Sequence, residues 1–150
     1  MQLDKFTDYG LRILVTLAAK SPARIPTSAI AQVFDLSEHH LAKVASELVR
    51  GGFVTSERGR GGGLTLSRDA CDITLGAVVR NLQSDKPVVS CFGPDKSCLI
   101  LPTCGLRSPL AAAQEAFFAT LDRYTLADVT AQKSALAALL PMPHDLVGRP

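Results

Sequence analysis

Three of the chain's four cysteines fall in one short stretch, SCFGPDKSCLILPTC, as Cys91, Cys98 and Cys104. The fourth, Cys71, stands well away from them. Thiolates are soft ligands, and three on one irregular segment point to metal or redox chemistry. The spacing is C-x6-C-x5-C. Zinc sites use tighter C-x2-4-C pairs and four N or S ligands. An iron–sulfur cluster spans several ångströms, so its cysteines need not be close in sequence, and this spacing suits it better. A zinc site, a thiol-only redox switch and three unliganded cysteines stay open at this point. Gly93 and Pro94 supply tight turns, and Leu99, Ile100 and Leu101 are placed to shield a cluster from water. Cys71, between SRDA and DITL, reads as a small buried filler.

A second set of chemically able residues lies earlier. His39, His40 and Lys43 follow Ser37 on one short amphipathic run, and Arg58 and Arg60 sit among glycines in ERGRGGG. Adjacent helical residues point about 100° apart, so the two histidines chelate one ion poorly. Near the start of a helix they suit a reader of the DNA major groove. Arginine beside glycine suits phosphates or a narrow minor groove. The plainer alternative is an ordinary solvated surface.

The elements that position these residues follow from periodicity. Phe6, Ile13, Leu14 and Leu17 recur at helical spacing over residues 6 to 20, and SPAR ends that helix. Thr27 is placed to cap a short helix with Ile30, Val33 and Phe34 inward. DLS breaks it, and Ser37 caps the next helix, with Leu41, Val44, Ala45, Leu48 and Val49 on one face. Glu38, Ser46 and Glu47 join the histidines and Lys43 on the outward side. Gly51 and Gly52 terminate this helix. Two such helices around a tight turn form a helix-turn-helix. Phe53 to Glu57 and Leu64 to Ser67 then read as the strands of a hairpin with a glycine tip, the wing of a winged helix. Residues 73 to 83 form a helix capped by Thr74, and residues 84 to 105 read as loop, with Pro87, Pro94 and Pro102. Ser108 caps and Pro109 opens a long helix to about Tyr124, with Leu110, Ala113, Phe117, Leu121 and Tyr124 in one stripe. A further helix is expected in LADVTAQKSALAALL, before a Pro-rich end that is expected to be mobile.

Composition bounds the reading. The 150 residues suit one domain, or one with an extension, and hydrophobic residues make up 47%, enough for a core. No apolar run reaches the roughly 18 residues that span a membrane. The start, MQLDKFTDYGLR, carries Asp4 and Asp8 and lacks an apolar h-region, so no secretory signal is read and a reducing cytoplasm is expected. The net charge of +2 is too small to prove a nucleic-acid partner, so that case rests on local placement. No Ser-His-Asp set, P-loop or pair of carboxylates in a cleft is found, and an enzyme is not expected.

The expected fold is thus mainly α: a winged helix-turn-helix DNA-binding domain over residues 1 to 83, a cysteine loop over 84 to 105, a dimerisation helix over 106 to 125 and a tail over 126 to 150. The candidate DNA contacts are Ser37, His39, His40, Lys43, Arg58 and Arg60. Leu110, Phe117 and Leu121 are the candidate dimer interface.

MQLDKFTDYGLRILVTLAA, SELVRGGFVTSERGRGGGLTLS, the three-cysteine loop and FFATLDRYTLADV together resemble the iron–sulfur winged-helix repressors that include IscR, RirA and NsrR. The likeness runs in matching order from residue 1 to about 129. It implies a homodimer on a palindromic operator in double-stranded DNA, with one cluster per subunit. It implies Cys91, Cys98 and Cys104 as ligands. IscR-type proteins add a histidine three residues past the last cysteine, where this chain has Arg107, which is never deprotonated. NsrR-type proteins add an aspartate from the other subunit's first helix to a [4Fe-4S] cluster, and Asp8 stands at that place. RirA-type sequences have an asparagine there. The resemblance therefore favours the nitric-oxide-sensing branch, with Asp8 from the other subunit as fourth ligand. A [2Fe-2S] cluster and an iron- or redox-responsive role are the alternatives. The six-residue first gap is longer than NsrR-type loops have, and RirA-type loops are longer still.

Overall fold

The computed structural model describes residues 3–83, 88–93 and 98–142. Pro87, Pro94 and the Pro-rich end from residue 143 lie outside the described residues. Among the described residues there are seven α-helices, three short 3-10 helices and one two-stranded sheet, so the chain is mainly helical as expected.

Helix α1 (Lys5–Lys20) is the centre of the core. Asp4 caps it by accepting from the Thr7 amide at 2.7 Å. Ile13, Leu14 and Leu17 are buried along one stripe, as the spacing requires. Around α1 pack α3, α4, α6, α7 and the sheet. Helix α2 (Thr27–Val33) starts at the residue expected to cap it. Pro26 takes the N-cap position, no side chain caps the helix, and Thr27 falls in its first turn. Ile30 is fully buried, while Val33 and Phe34 pack against the core's edge. Asp35 then turns the chain with φ 52°, a left-handed conformation that aspartate tolerates.

Helix α3 (Glu38–Arg50) begins at Ser37, whose hydroxyl accepts from the His40 amide at 3.5 Å. Leu41, Val44, Ala45 and Leu48 are buried. Val49, expected beside them, is 39% exposed. It follows Leu48 by one residue, about 100° round the helix, which turns it out of the core. Gly51 caps the helix and Gly52, with φ 73°, turns the chain away.

Strands β1 (Val54–Glu57) and β2 (Gly63–Leu66) pair antiparallel, with Val54 opposite Leu66 and Glu57 opposite Gly63. Gly59 and Gly61 at the tip have positive φ, as a glycine hairpin tip requires. The wing is not free-standing. Ile25 exchanges backbone hydrogen bonds with Leu64, and Arg24 meets Glu57 at 2.5 Å.

Helix α4 (Leu75–Leu82) is capped by Thr74, which accepts from the Ala77 amide at 3.3 Å. The turn before it, Ala70–Asp72, lies on the surface. Cys71 in that turn is exposed, not the buried filler its neighbours implied. Helix α5 (Arg107–Leu121) begins earlier than its serine and proline imply. Ser108 and Pro109 lie inside its first turn, where a missing N–H costs no intrahelical bond. Its one buried residue is Phe118, while Phe117 of the expected dimer seam is half-buried.

The single helix expected over 126 to 140 is two, α6 (Leu126–Val129) and α7 (Lys133–Leu139). Thr130 ends the first, its hydroxyl donating to the Leu126 carbonyl at 2.7 Å. Leu126, Leu140 and Met142 are buried in the same core as α1. The segment expected as a tail thus folds back onto the DNA-binding unit as far as Met142. No helix among the described residues is long and apolar enough to cross a membrane.

Candidate DNA-binding surface and metal centre

Helix α3 turns its polar side outward. Glu38, His39, His40, Lys43 and Ser46 are exposed, and Glu47 is half-buried, paired with Arg50 at 2.8 Å. The His39 and His40 rings stand 6.1 Å apart and tilted by 48°, so they diverge rather than chelate. Arg58 and Arg60 are exposed at the wing tip and make no ion pair among the described residues. Arg24, by contrast, is already neutralised by Glu57. Between α3 and the wing lies a cleft of about 450 Å³, lined by Ala42, Ser46, Val49, Ser56 and Arg58. Small side chains keep it open and Arg58 gives it positive charge. A further groove, of about 590 Å³, lies between residues 17–23, 65–70 and 127–133.

The cysteine segment is built from short turns. Cys91 lies in the 3-10 turn Ser90–Phe92, and Cys104 ends the turn Leu101–Thr103. Both are half-buried, Cys98 is exposed, and all three thiols are free. The Arg107 guanidinium lies over the Phe92 ring at 5.9 Å. That contact joins the first turn to the start of α5. Three soft, unpaired thiols fit an iron–sulfur group in donor chemistry. Of the apolar shield expected of Leu99, Ile100 and Leu101, only Leu101 is half-buried among the described residues. Leu99 is 94% exposed, and Ile100 and Leu106 are also turned to solvent.

The Asp8 side chain, 43% exposed on α1, accepts from Arg12 Nε at 2.9 Å and pairs with its Nη2 at the same distance. Arg12 in turn lies over the Phe34 ring. The chain brings neither the three cysteines, nor Asp8 with them, into one converging set of metal-capable atoms. Among the described residues, the metal-capable atoms that do converge, within 4.8 Å, are those of Asp69, Cys71 and Asp72, all exposed. Arg12 as the partner of Asp8 was readable from the four-residue spacing. The Arg107–Phe92 and Arg24–Glu57 contacts span folded distance and left no local signal.

A helix-turn-helix braced against a hairpin wing, with the polar face of its second helix outward, defines the winged-helix class of DNA-binding transcriptional regulators. The chain belongs to the Rrf2 family, described as iron-dependent transcriptional regulators, whose family model matches residues 3–132. It is 42% identical over 144 residues to the HTH-type transcriptional regulator NsrR of Bacillus subtilis, covering 95% of this chain and 99% of that one. It is 40% identical over 142 residues to the NsrR of Geobacillus kaustophilus, covering 93% and 97%. Among solved structures, CymR, the global cysteine regulator of B. subtilis, matches with a TM-score of 0.64 at 29% identity, over 88% of this chain and 98% of that one. The IscR of T. potens matches with a TM-score of 0.67 at 26% identity, over 88% of each. The chain is a DNA-binding transcriptional regulator and not an enzyme.

Proposed function

We propose that the chain represses transcription as a homodimer on a palindromic operator, and that nitric oxide lifts the repression through an iron–sulfur cluster held by Cys91, Cys98 and Cys104. The cysteine segment carries this reading: three free thiols just before α5, with Arg107 at the start of that helix lying over Phe92. The similarity to the two NsrR regulators supports the nitric-oxide branch. The proposed group is one [4Fe-4S] cluster per subunit, with Asp8 of the partner subunit as the fourth ligand. When bound, it supplies iron to which nitric oxide can add.

The chain's own residues do the rest. Carboxylate is a harder ligand than thiolate, so Asp8 would be the weakest of the four ligands. Arg12 stands 2.9 Å from it, so a released Asp8 falls back onto a cation instead of remaining an unpaired charge. Ser37, His39, His40 and Lys43 present α3 to the major groove, and Arg58 and Arg60 take the backbone beside it. Leu110, Phe117 and Leu121, none fully buried in one chain, form the seam with the mate of α5. Residues 1 to 83 read DNA, 84 to 105 sense, and 106 to 125 pair the subunits. Residues 126 to 142 brace the first of these through Leu126, Leu140 and Met142.

Titrating nitric oxide, oxygen and an iron chelator against the DNA-bound, anaerobically reconstituted protein tests the reading. Nitric oxide should release DNA at amounts comparable to the cluster, while the chelator and oxygen leave the complex intact. Release by the chelator alone would favour an iron-responsive regulator instead. The six-residue gap between Cys91 and Cys98 and the family's iron-dependent character favour that second reading.

A further inference from the structure

Helix α5 is weakly attached to the rest of its chain. Phe118 is its one buried residue, and its main packing is against α4. Helix α4 also packs on α1 and α3, so it lies between the DNA-binding unit and α5. Two anchors hold the α4–α5 crossing. The first is backbone: the Leu75 amide donates to the Tyr124 carbonyl at 2.9 Å, and the Leu126 amide to the Ile73 carbonyl at 2.8 Å. At the same place Gly76 lies so close to Asp122 that a Cβ would sit 1.9 Å from Oδ1 and 2.8 Å from the backbone nitrogen. The second anchor is Arg80, one helical turn further along α4. Its Nη2 donates to Asp122 Oδ2 at 2.7 Å and to Glu115 Oε1 at 3.0 Å, and its guanidinium lies over the Phe118 ring at 4.4 Å.

One anchor lets a rod pivot, and two set its direction. We infer that Arg80 is a positioning residue: it sets the angle at which α5 leaves the DNA-binding unit, and so the separation of the two recognition helices in the dimer. The inference rests on the proposal that α5 pairs the subunits. Glu115, Phe118 and Asp122 lie three and four residues apart, so one guanidinium grips about two turns of a single α5 face. Any slack at Glu115 roughly doubles by the start of α5, which is twice as far from the backbone anchor. Half-sites on DNA must lie about 34 Å apart or a multiple of that, so a small error of angle becomes an error of register. Surface ion pairs stabilise folds little, which argues that this one acts through geometry. Desolvation pulls the Arg80 pKa down, but Asp122 and then Glu115 more than reverse it, so the guanidinium stays charged at any assay pH.

The test uses the full-length, anaerobically reconstituted protein. The probes are a duplex with the inverted repeat that the wild type selects from a random pool, duplexes with its spacer changed by one or two base pairs, and a single half-site. Wild type should prefer one spacer strongly. Arg80→Ala should bind the half-site as wild type does and remain a dimer on sedimentation. It should lose about tenfold on the preferred spacer, with the difference between spacers flattened. Arg80→Lys keeps the charge without the fork and should fall between the two. Asp122→Asn, with a circular dichroism melt on each variant, guards against a folding defect in Arg80→Ala. If both Arg80→Ala and Asp122→Asn keep the wild-type spacer preference, or lose half-site and palindrome affinity equally, the positioning role is overturned. A monomeric wild type, or one blind to spacer length, would remove the dimer reading beneath it and the inference with it.

Discussion

The recognition unit and the cysteine segment differ in how much of themselves they complete. Helix α3 has a cap, four buried residues and a braced wing beside it, all supplied by one chain. The cysteine segment has two single-turn 3-10 helices, free thiols, and Leu99 and Ile100 turned to solvent. The first region is held by its own core. The second exposes apolar and soft-ligand groups that nothing within the described chain covers. A DNA reader must keep its shape in every state, whereas a sensor must change shape with its ligand.

The largest effect expected from this contrast is in stability. Leu48 is fully buried in α3, and Leu48→Ala should cost about 2–5 kcal/mol. A thermal melt should fall by roughly 5–15 °C. Leu99→Ala, made at a side chain 94% exposed, should leave the melt of the cluster-free protein unchanged. A comparable loss at Leu99 would mean that the cysteine segment is packed after all, and the contrast would fail.

Next in size is the loss of iron. Cys98→Ala should lose the cluster and tight operator binding together while circular dichroism keeps the full helical signal. Cys71→Ala should change neither, because Cys71 lies in the exposed turn before α4, away from the cysteine segment. Iron and sulfide analysis, at about four of each per wild-type chain, and a gel shift measure both. Operator binding by Cys98→Ala at wild-type strength would show that the segment does not govern the reader.

The same contrast decides what could be read from sequence. The recognition helix was legible because Ser37, the apolar stripe through Leu48 and the paired glycines each obey a local rule, and the rules agree. The wing was legible from Gly59 and Gly61. Legibility stopped where tertiary packing chose between equals. Phe118, which no local rule singled out, is buried where α5 meets α4. Ser108 and Pro109 carry a helix-start signal, yet α5 begins at Arg107 because proline is tolerated throughout a first turn. Cys71 has a small apolar body like any core filler, and its exposure follows from a surface turn that its neighbours do not announce. For the metal centre the sequence displayed the donor atoms, but not Arg12 beside Asp8 or Arg107 over Phe92.

A smaller effect should follow at Asp8. Asp8→Ala leaves three thiolates, so a cluster should still assemble, with altered absorbance and circular dichroism and a changed reaction with nitric oxide. Asp8→Cys should hold the cluster more firmly, since thiolate binds iron better than carboxylate. Mixed dimers of an Asp8→Ala chain and a Cys98→Ala chain refine the test. They should carry at most one cluster, on the cysteines of the first chain and the intact Asp8 of the second, with wild-type spectra. Spectra like those of Asp8→Ala would place ligation within one chain, or deny Asp8 the role.

The smallest expected effect lies at the junction that ties α5 to the core. Thr125 and Asp128 form a capping box at α6: the Asp128 amide donates to the Thr125 hydroxyl at 3.2 Å, and the Thr125 amide and hydroxyl donate to the Asp128 carboxylate at 2.7 Å each. The hydrogen bond from the Thr125 backbone, then that from its side chain, hold the Asp128 pKa below the usual aspartate value despite some desolvation. A carboxyl whose pKa is depressed by folding contributes stability that is present above its unfolded pKa and lost as pH falls through the folded one. Asp128→Asn should therefore lower the melting temperature by a few degrees at neutral pH. The gap to wild type should narrow as the pH drops below the usual aspartate range, since wild type loses there what the variant never had. Because the box belongs to the packed region, the same gap should appear with and without the cluster. A gap that does not depend on pH would mean that the carboxylate acts by shape alone. A gap seen only in the cluster-loaded protein would couple this junction to the sensing segment, and the two regions would no longer be separable.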